Sequence, residues 1–582
     1  MAQESVEKVF SNNRRFSIPK YQRDYAWKKK NLDELWEDLE EAKNASSDSM
    51  GHFLGTIVVA KEPNSDAYYI IDGQQRSTTI FMLRYALNAK TKDPAWNMNI
   101  FRDENKELRL QVSPANQEFF KAVLTQADNN KRDTSLKNRI ETDGQKRLYE
   151  VFEAIWDRVR ELESTEAKEY LSVLDKMVLM WLEEKDSGRA IRTFQSVNDR
   201  GVPLLLLDKL KALLILYSNK YSNDNGTLDN EINERFGEIF KIATKIRKHK
   251  LSSSLGDREF AKEVETRVFN YHALGQADIG HYRYGAAESF KKIKELLKSK
   301  TKNPQELLEY IDTYSSDLLE FFKAFYRVMQ RTETSAEAFK LLYILRINPL
   351  FYSSLVRLEM NGVLDDECLR LLAQAEVFFY GCYSTNDSRA YNLYEATDSK
   401  NSFRERIIQE CKKCAKGDYS SVGDVLRDIA RDNYNWGKYF RYLFFAYRCD
   451  DMDARAFNDL LSSDDEDDNG DSSKTMQPYD MEHIVPLNVV ENEALERYGF
   501  DNANEFNAIK DDFGNLLVLE SKLNRKIRDG GAQIKKEAYK DSKIPYNRNF
   551  ANTLESFGKK RIIEENEKFT QWAREFFKDF LC

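Results

Sequence analysis

The chain has 582 residues, room for three or four domains at about 150 residues each. Lys plus Arg (89) are outnumbered by Asp plus Glu (97), for a net charge of -8. This excludes a histone-like polycation and confines any nucleic-acid surface to a local patch. Aromatic residues at 12% exclude wholesale disorder, and 23 Gly with 10 Pro exclude a collagen-like or linker-dominated chain.

Near the N-terminus, Ile18-Pro19-Lys20-Tyr21-Gln22-Arg23-Asp24-Tyr25-Ala26-Trp27 interleaves aromatic and basic residues. Tyr21, Tyr25 and Trp27 beside Lys20 and Arg23 suit a surface that reads DNA or a modified group on it. Tyr25 and Trp27 fit core positions on one strand face equally well. Gly55 to Ala60 and Tyr68 to Ile71 read as strands, the second stopping at Asp72-Gly73. From Gln74 onward, Ile80, Leu83 and Leu87 at helical spacing predict a helix. A strand that ends in Asp-Gly and runs straight into a helix offers free N–H groups and the positive end of the helix dipole to an anion. Gln74, Gln75, Arg76, Ser77 and Thr78 add side-chain donors, and Gly73 admits a phosphate to the backbone. No Walker A sequence is present, so a nucleotide site here is not a P-loop.

From about 145 to 450 nearly every window reads as amphipathic helix. The longest apolar stretch, Val202 to Tyr217, is broken by Asp208, Lys209 and Lys211 and is too short to span a membrane. No apolar segment follows Met1, so no secretory signal is expected. The six Cys are too sparse for a disulfide scaffold and fit a reducing cytoplasm, and Cys411-x-x-Cys414 lacks the second pair a zinc site needs. Lys245 to Lys250 reads as a solvated basic helix face, with DNA contact as the alternative. Residues 462–473 are polar, acidic and without apolar anchors, which predicts a flexible linker running to about Tyr479. It would act as a tether, or as a DNA mimic that shields a basic domain.

Beyond that linker come Glu482-His483-Ile484-Val485-Pro486, then Phe513-Gly514-Asn515-Leu516-Leu517-Val518-Leu519, then Asn524. A strand, a returning strand and a helix would gather a His and two amides around one small site. Such a site suits metal-assisted phosphodiester hydrolysis: a neutral imidazole takes a proton from water, while a carboxylate and an amide oxygen hold a hard cation. From Ser521 to Arg561 there are 12 Lys or Arg against four acids, a basic patch of the kind that phosphate neutralisation needs.

The order Glu-His-Ile-x-Pro, Gly-Asn-Leu, Asn resembles the HNH, or His-Me finger, nucleases, in particular the C-terminal domain of GmrSD-type restriction enzymes. The resemblance implies that His483 activates water, that Asn524 binds metal, and that Asn515 orients the His loop or braces the site. Glu482 stands where relatives often carry the acidic metal ligand. Neighbours on a regular strand point to opposite faces, so Glu482 and His483 share a site only if the strand is bulged or ends there, and Asp480 is the alternative ligand. Lys522, Arg525 and Lys526 would contact DNA. The N-terminal motifs, joined by Phe194 to Leu204 (with Asn198-Asp199-Arg200-Gly201 inside it), Asp208 and Lys211, resemble the ParB-related GmrS-type domain. This implies nucleotide binding by Gln22, Arg23, Asp72, Gly73, Gln74, Gln75, Arg76, Ser77 and Thr78, with Asp72 and Arg23 acting around the phosphates.

The expected fold is α+β: a ParB-like α/β domain over 1–220, a helical middle over 221–461, the linker over 462–479 and a ββα-metal (HNH) domain over 480–582. The expected protein is a cytoplasmic, nucleotide-regulated DNA endonuclease or nickase of anti-phage defence, with no membrane partner and homo-oligomerisation left open. Its cofactors would be Mg²⁺ or Mn²⁺ and an NTP, whether GTP, UTP, CTP or ATP. The DNA mark would be glucosylated hydroxymethylcytosine, or phosphorothioate as in SspE-like relatives. The alternatives are a nucleotide-switched DNA-binding protein with a non-cleaving HNH module, and an RNA nuclease.

Overall fold

The computed structural model describes residues 2–11, 14–44, 52–62, 67–91, 101–103, 105–128, 132–184, 205–222, 226–252, 255, 260–383, 387–416, 431, 436–461, 479–487, 495–527 and 530–581. It is mixed α+β and mostly helical. The expected linker up to 478 and the segment from Phe194 to Leu204 lie outside the described residues. Two compact units emerge, one of Met1–Lys245 with Ala286–Leu319, the other of Ile246–Gly285 with Glu320–Cys582. The helical middle therefore contributes to both.

The first unit is built on a six-stranded mixed sheet. Its strands are β1 (Ala2–Ser5), β2 (Arg15–Ser17), β3 (Phe53–Lys61), β4 (Ala67–Asp72), β5 (Leu110–Gln111) and β6 (Val178–Glu184), in the order β1-β6-β3-β4-β2-β5. The β3 and β4 strands and the helix Gln74–Thr91 stand where the apolar patterns put them. That helix is buried nearly all round, which is why it carries Ile80, Phe81, Met82 and Leu83 in succession. It packs on helices Asp143–Glu161 and Ser164–Lys176. The β6 strand corrects the reading of continuous helix from 145. Val178-Leu179-Met180-Trp181-Leu182 is a short apolar run whose period does not separate helix from strand, and pairing with β1 and β3 makes it a strand.

Gly73 joins β4 to the helix at φ +85°, and a Cβ there would lie 2.9 Å from Thr56 O. The backbone that approaches this glycine is thus that of β3. Gly73→Ala is expected to destabilise the unit by about 1–3 kcal/mol, seen as a lower denaturant midpoint. An unchanged midpoint would show that the turn accepts a side chain.

In the second unit, β7 (Tyr479–His483) opens on the last residue assigned to the linker and pairs antiparallel with β8 (Leu516–Glu520), His483 opposite Leu516. The helix Ser521–Ile527 follows β8 at once and packs on both strands. The long helix Lys559–Phe576 approaches the turn before β8 so closely that a Cβ on Gly514 would lie 2.3 Å from Ile562 O. Phe513 stacks on Phe569 at 3.6 Å in that contact. Among the described residues no helix is long and apolar enough to cross a membrane.

Candidate functional site

In the first unit the two N-terminal motifs dock on each other. Gln22 Nε2 donates to Ile70 O and Ile71 O (2.6 and 2.7 Å) at the end of β4. Gln75 Oε1 accepts from Ala26 N (2.6 Å) and its Nε2 donates to Asp24 O (3.2 Å), while Gln74 Nε2 donates to Arg23 O (3.3 Å). Arg76 donates to Thr56 O (3.3 Å) through the space that Gly55 leaves open. The side-chain amides read as nucleotide donors are thus occupied in holding the 22–27 segment over the helix start. Ser77 and Thr78 are buried within the helix.

Tyr25 is corrected from a DNA-reading position to a core one. Its ring belongs to the hydrophobic core and its hydroxyl bonds Thr79 Oγ1 at 2.6 Å. Trp27 packs half-buried against the same core, and Tyr21 is buried.

These braces aim Arg23 and Asp24 into a small cleft lined also by Gln74, Thr78, Ser113 and Asn116. Buried Asp208 has its carboxyl pushed up to about 7 by loss of water, against the pull of Arg23 and Lys211. Burial likewise lowers the Lys211 ammonium, against Asp24 and Asp208. The Arg23 guanidinium is lowered by burial, with Asp208 and Asp72 opposing. Buried, interacting charges of both signs at a cleft are a recognised mark of a binding site. Ser113 and Asn116 carry no local sequence signal, since they arrive from a different element.

In the second unit, His483 ends β7 and its Nε2 lies 2.7 Å from Asp511 Oδ1. Burial lowers the imidazole pKa below its ordinary value; Asp511 opposes this, while Lys535 and Lys510 add to it. Asp511 was missed in the sequence because it sits in a Lys-Asp-Asp turn with no pattern of its own. Asn515 is fully buried, its Oδ1 accepting from Val485 N (2.9 Å) and its Nδ2 donating to Lys510 O (2.7 Å). It ties the chain after His483 to the turn that carries Asp511, the bracing position expected of it. Asn515→Ala is expected to cost about 1–3 kcal/mol by orphaning both partners and to lower cleavage with it. Equal melting temperatures would contradict this.

Glu482 and Asp480 share one face of β7, and each has its own partner. Glu482 turns from His483 to a buried ion pair with Lys535 Nζ (2.6 Å) and accepts from Tyr539 Oη (3.2 Å). The Lys535 Nζ also donates to His483 O. Asp480 reaches the helix Ser521–Ile527, where Asn524 Nδ2 lies 3.4 Å from its Oδ2. Lys522, Arg525 and Lys526 occupy that same short helix, the last two exposed. Among the described residues no three His, Cys, Asp or Glu gather as a metal cage. A carboxylate beside an amide is nonetheless the hard-oxygen donor pair that suits Mg²⁺ or Mn²⁺, ions that keep several waters.

A family model described as GmrSD restriction endonuclease, N-terminal domain, matches residues 6–215, and one described as GmrSD restriction endonucleases, C-terminal domain, matches residues 426–572. No curated protein matches the chain. Both matches fall on the two constellations, together span more than half of the chain, and keep the family's N-to-C order, so the chain belongs to the GmrSD restriction endonucleases, type IV defence enzymes whose substrate is DNA.

Proposed function

We propose that the second unit holds an HNH-type, metal-dependent phosphodiesterase centre, and that the first binds a nucleotide and, with the DNA, licenses cutting in the cytoplasm. The observation that carries the reading is His483, whose imidazole is kept neutral at pH 7 by burial and aimed by Asp511. With its Nε2 proton shared with Asp511, the ring's Nδ1 is the basic nitrogen. It takes a proton from water as the water oxygen bonds the phosphorus and the P–O bond to the departing deoxyribose oxygen breaks. Asp480 and Asn524 would hold Mg²⁺ or Mn²⁺, with Glu482 available only if Lys535 releases it. An ion bound there would supply charge stabilisation for the phosphodiester. Asn515 fixes the loop, and Lys522, Arg525 and Lys526 bind the flanking backbone.

In the first unit Arg23, Asp72 and Arg76 would meet the nucleotide phosphates around the cleft. Gln22, Gln74, Gln75, Gly73, Ser77 and Thr78 would shape it, and hydrolysis there would reset the gate. The DNA mark is glucosylated hydroxymethylcytosine or phosphorothioate.

The test is cleavage of unmodified, glucosylated and phosphorothioate DNA with Mg²⁺ or Mn²⁺, with and without each NTP. Metal-dependent cutting confined to one mark and stimulated or restrained by one nucleotide supports the reading. Metal-dependent cutting of all substrates alike, indifferent to nucleotide, sinks the gate. DNA binding that responds to nucleotide without any cutting would make the chain a switched binder.

A further inference from the structure

Two arginines outside both sequence constellations lie near the strand that carries Asp480. Arg441 lies on the helix Lys438–Arg448, which packs against β8 and against the π-helical turn Lys340–Ile344. One helical turn along the same face, Phe445 meets the ring of Tyr479, the first residue of β7, at 5.8 Å. This places Arg441 beside the strand that carries Asp480. Arg346 follows the π-helical turn with φ +51°, a left-handed conformation that a side chain adopts only when its surroundings hold it.

Those surroundings are visible. Lys438 Nζ donates to Arg346 O (3.4 Å) and to Glu376 Oε1 (2.6 Å), and Glu376 accepts from Asn348 N (2.8 Å). The backbone that presents Arg346 is thus pinned to the helix that presents Arg441.

The two guanidinium groups lie close enough to repel each other. The Arg441 guanidinium feels both the Arg346 charge, which repels it, and the Asp480 carboxylate, which attracts it. Arg441 Nε is buried and makes no hydrogen bond among the described residues. Two half-buried cations and an unused donor, with one carboxylate facing Arg441, leave positive charge and hydrogen-bonding capacity that a second anion would satisfy. The planar guanidinium fork matches two oxygens of a phosphate, which an ammonium does not.

We propose that Arg346 and Arg441 are the phosphate-binding arginines of the nuclease site, gripping the non-bridging oxygens of a DNA phosphodiester beside Asp480 and Asn524. The proposal rests on the reading of the His483 centre, and it brings in Arg346 from between the two matched regions.

The test uses the full-length protein with Arg346→Gln and Arg441→Gln, and with Arg441→Lys as the charge-retaining control, all compared with wild type by melting temperature. On the DNA that the wild type cuts, each Gln variant is expected to lower single-turnover cleavage at saturating DNA by about 10²–10³-fold. With metal chelated, the slope of log binding constant against log salt for a short duplex is expected to fall by about one per arginine removed. Arg441→Lys should keep that slope, which separates lost charge from lost folding. Wild-type cleavage and slope in both Gln variants, with His483→Ala silent, would overturn the clamp and leave the nuclease centre standing. Slopes reduced in the Gln variants, together with a wild type that cuts nothing, would keep the clamp and overturn the nuclease reading.

Discussion

Lys535→Met is expected to destabilise the second unit by about 3–5 kcal/mol, because it strands the buried Glu482 carboxylate without its cation. Lys535 is almost fully buried, and its ammonium bridges Glu482 Oε1 and His483 O. A surface lysine of the same basic segment, such as Lys560, should cost almost nothing on removal. The pair is isolated by comparing Lys535→Met with Glu482→Gln/Lys535→Met in denaturant unfolding. The double variant should recover much of the loss, since no unpaired charge remains. If Lys535→Met unfolds at the wild-type midpoint, the ion pair is not part of the folded protein.

The second large effect falls on the chemistry. Removal of a positioned general base is expected to lower cleavage by about 10²–10⁴-fold, so His483→Ala should bind DNA as the wild type does and cut it poorly. The pH dependence has a definite sign. Burial holds the imidazole pKa below its ordinary value, so in the proposed role of base it would be neutral at pH 7. The rate should fall only as the pH drops through that depressed value and the ring takes up a proton. Asp511 opposes the depression. Asp511→Asn should therefore move the acid limb of the single-turnover rate profile to still lower pH while slowing the reaction at every pH, because the ring loses its orienting partner. An acid limb that moves to higher pH would show that Asp511 does not act on His483.

Local pattern carried some of this architecture and long-range pairing carried the rest. The turn at Asp72-Gly73 was legible because a β-rich run, a turn dipeptide and a helical period meet within a few residues, and β4 and its helix stand there. The β1, β2 and β5 strands were not, because they are two to four residues long and exist only through partners far along the chain. The Gln-Gln pair after Gly73 looked like donors for a phosphate, and nothing local could show that Ala26 N and the carbonyls of Arg23 and Asp24 already claim them.

At the candidate nuclease centre, the doubt over Glu482 came from strand geometry, and alternation does send it away from His483 to Lys535. Charge counting failed at that same lysine. Lys535 was tallied with the phosphate-binding patch, yet it is a buried partner, and only packing tells a solvated lysine from a desolvated one. Asp511, Arg346 and Arg441 were invisible because charged residues in turns and helices outnumber those that reach a site. Only the fold selects them.

The most direct measurement is single-turnover cleavage of one DNA substrate by wild type and His483→Ala, each with Mg²⁺ present and with the metal chelated. Products should form only from wild type with metal, while both proteins bind the DNA alike. Equal cutting by the His483→Ala protein, or cutting that persists under chelation, would place the chemistry elsewhere and contradict the assignment of this centre.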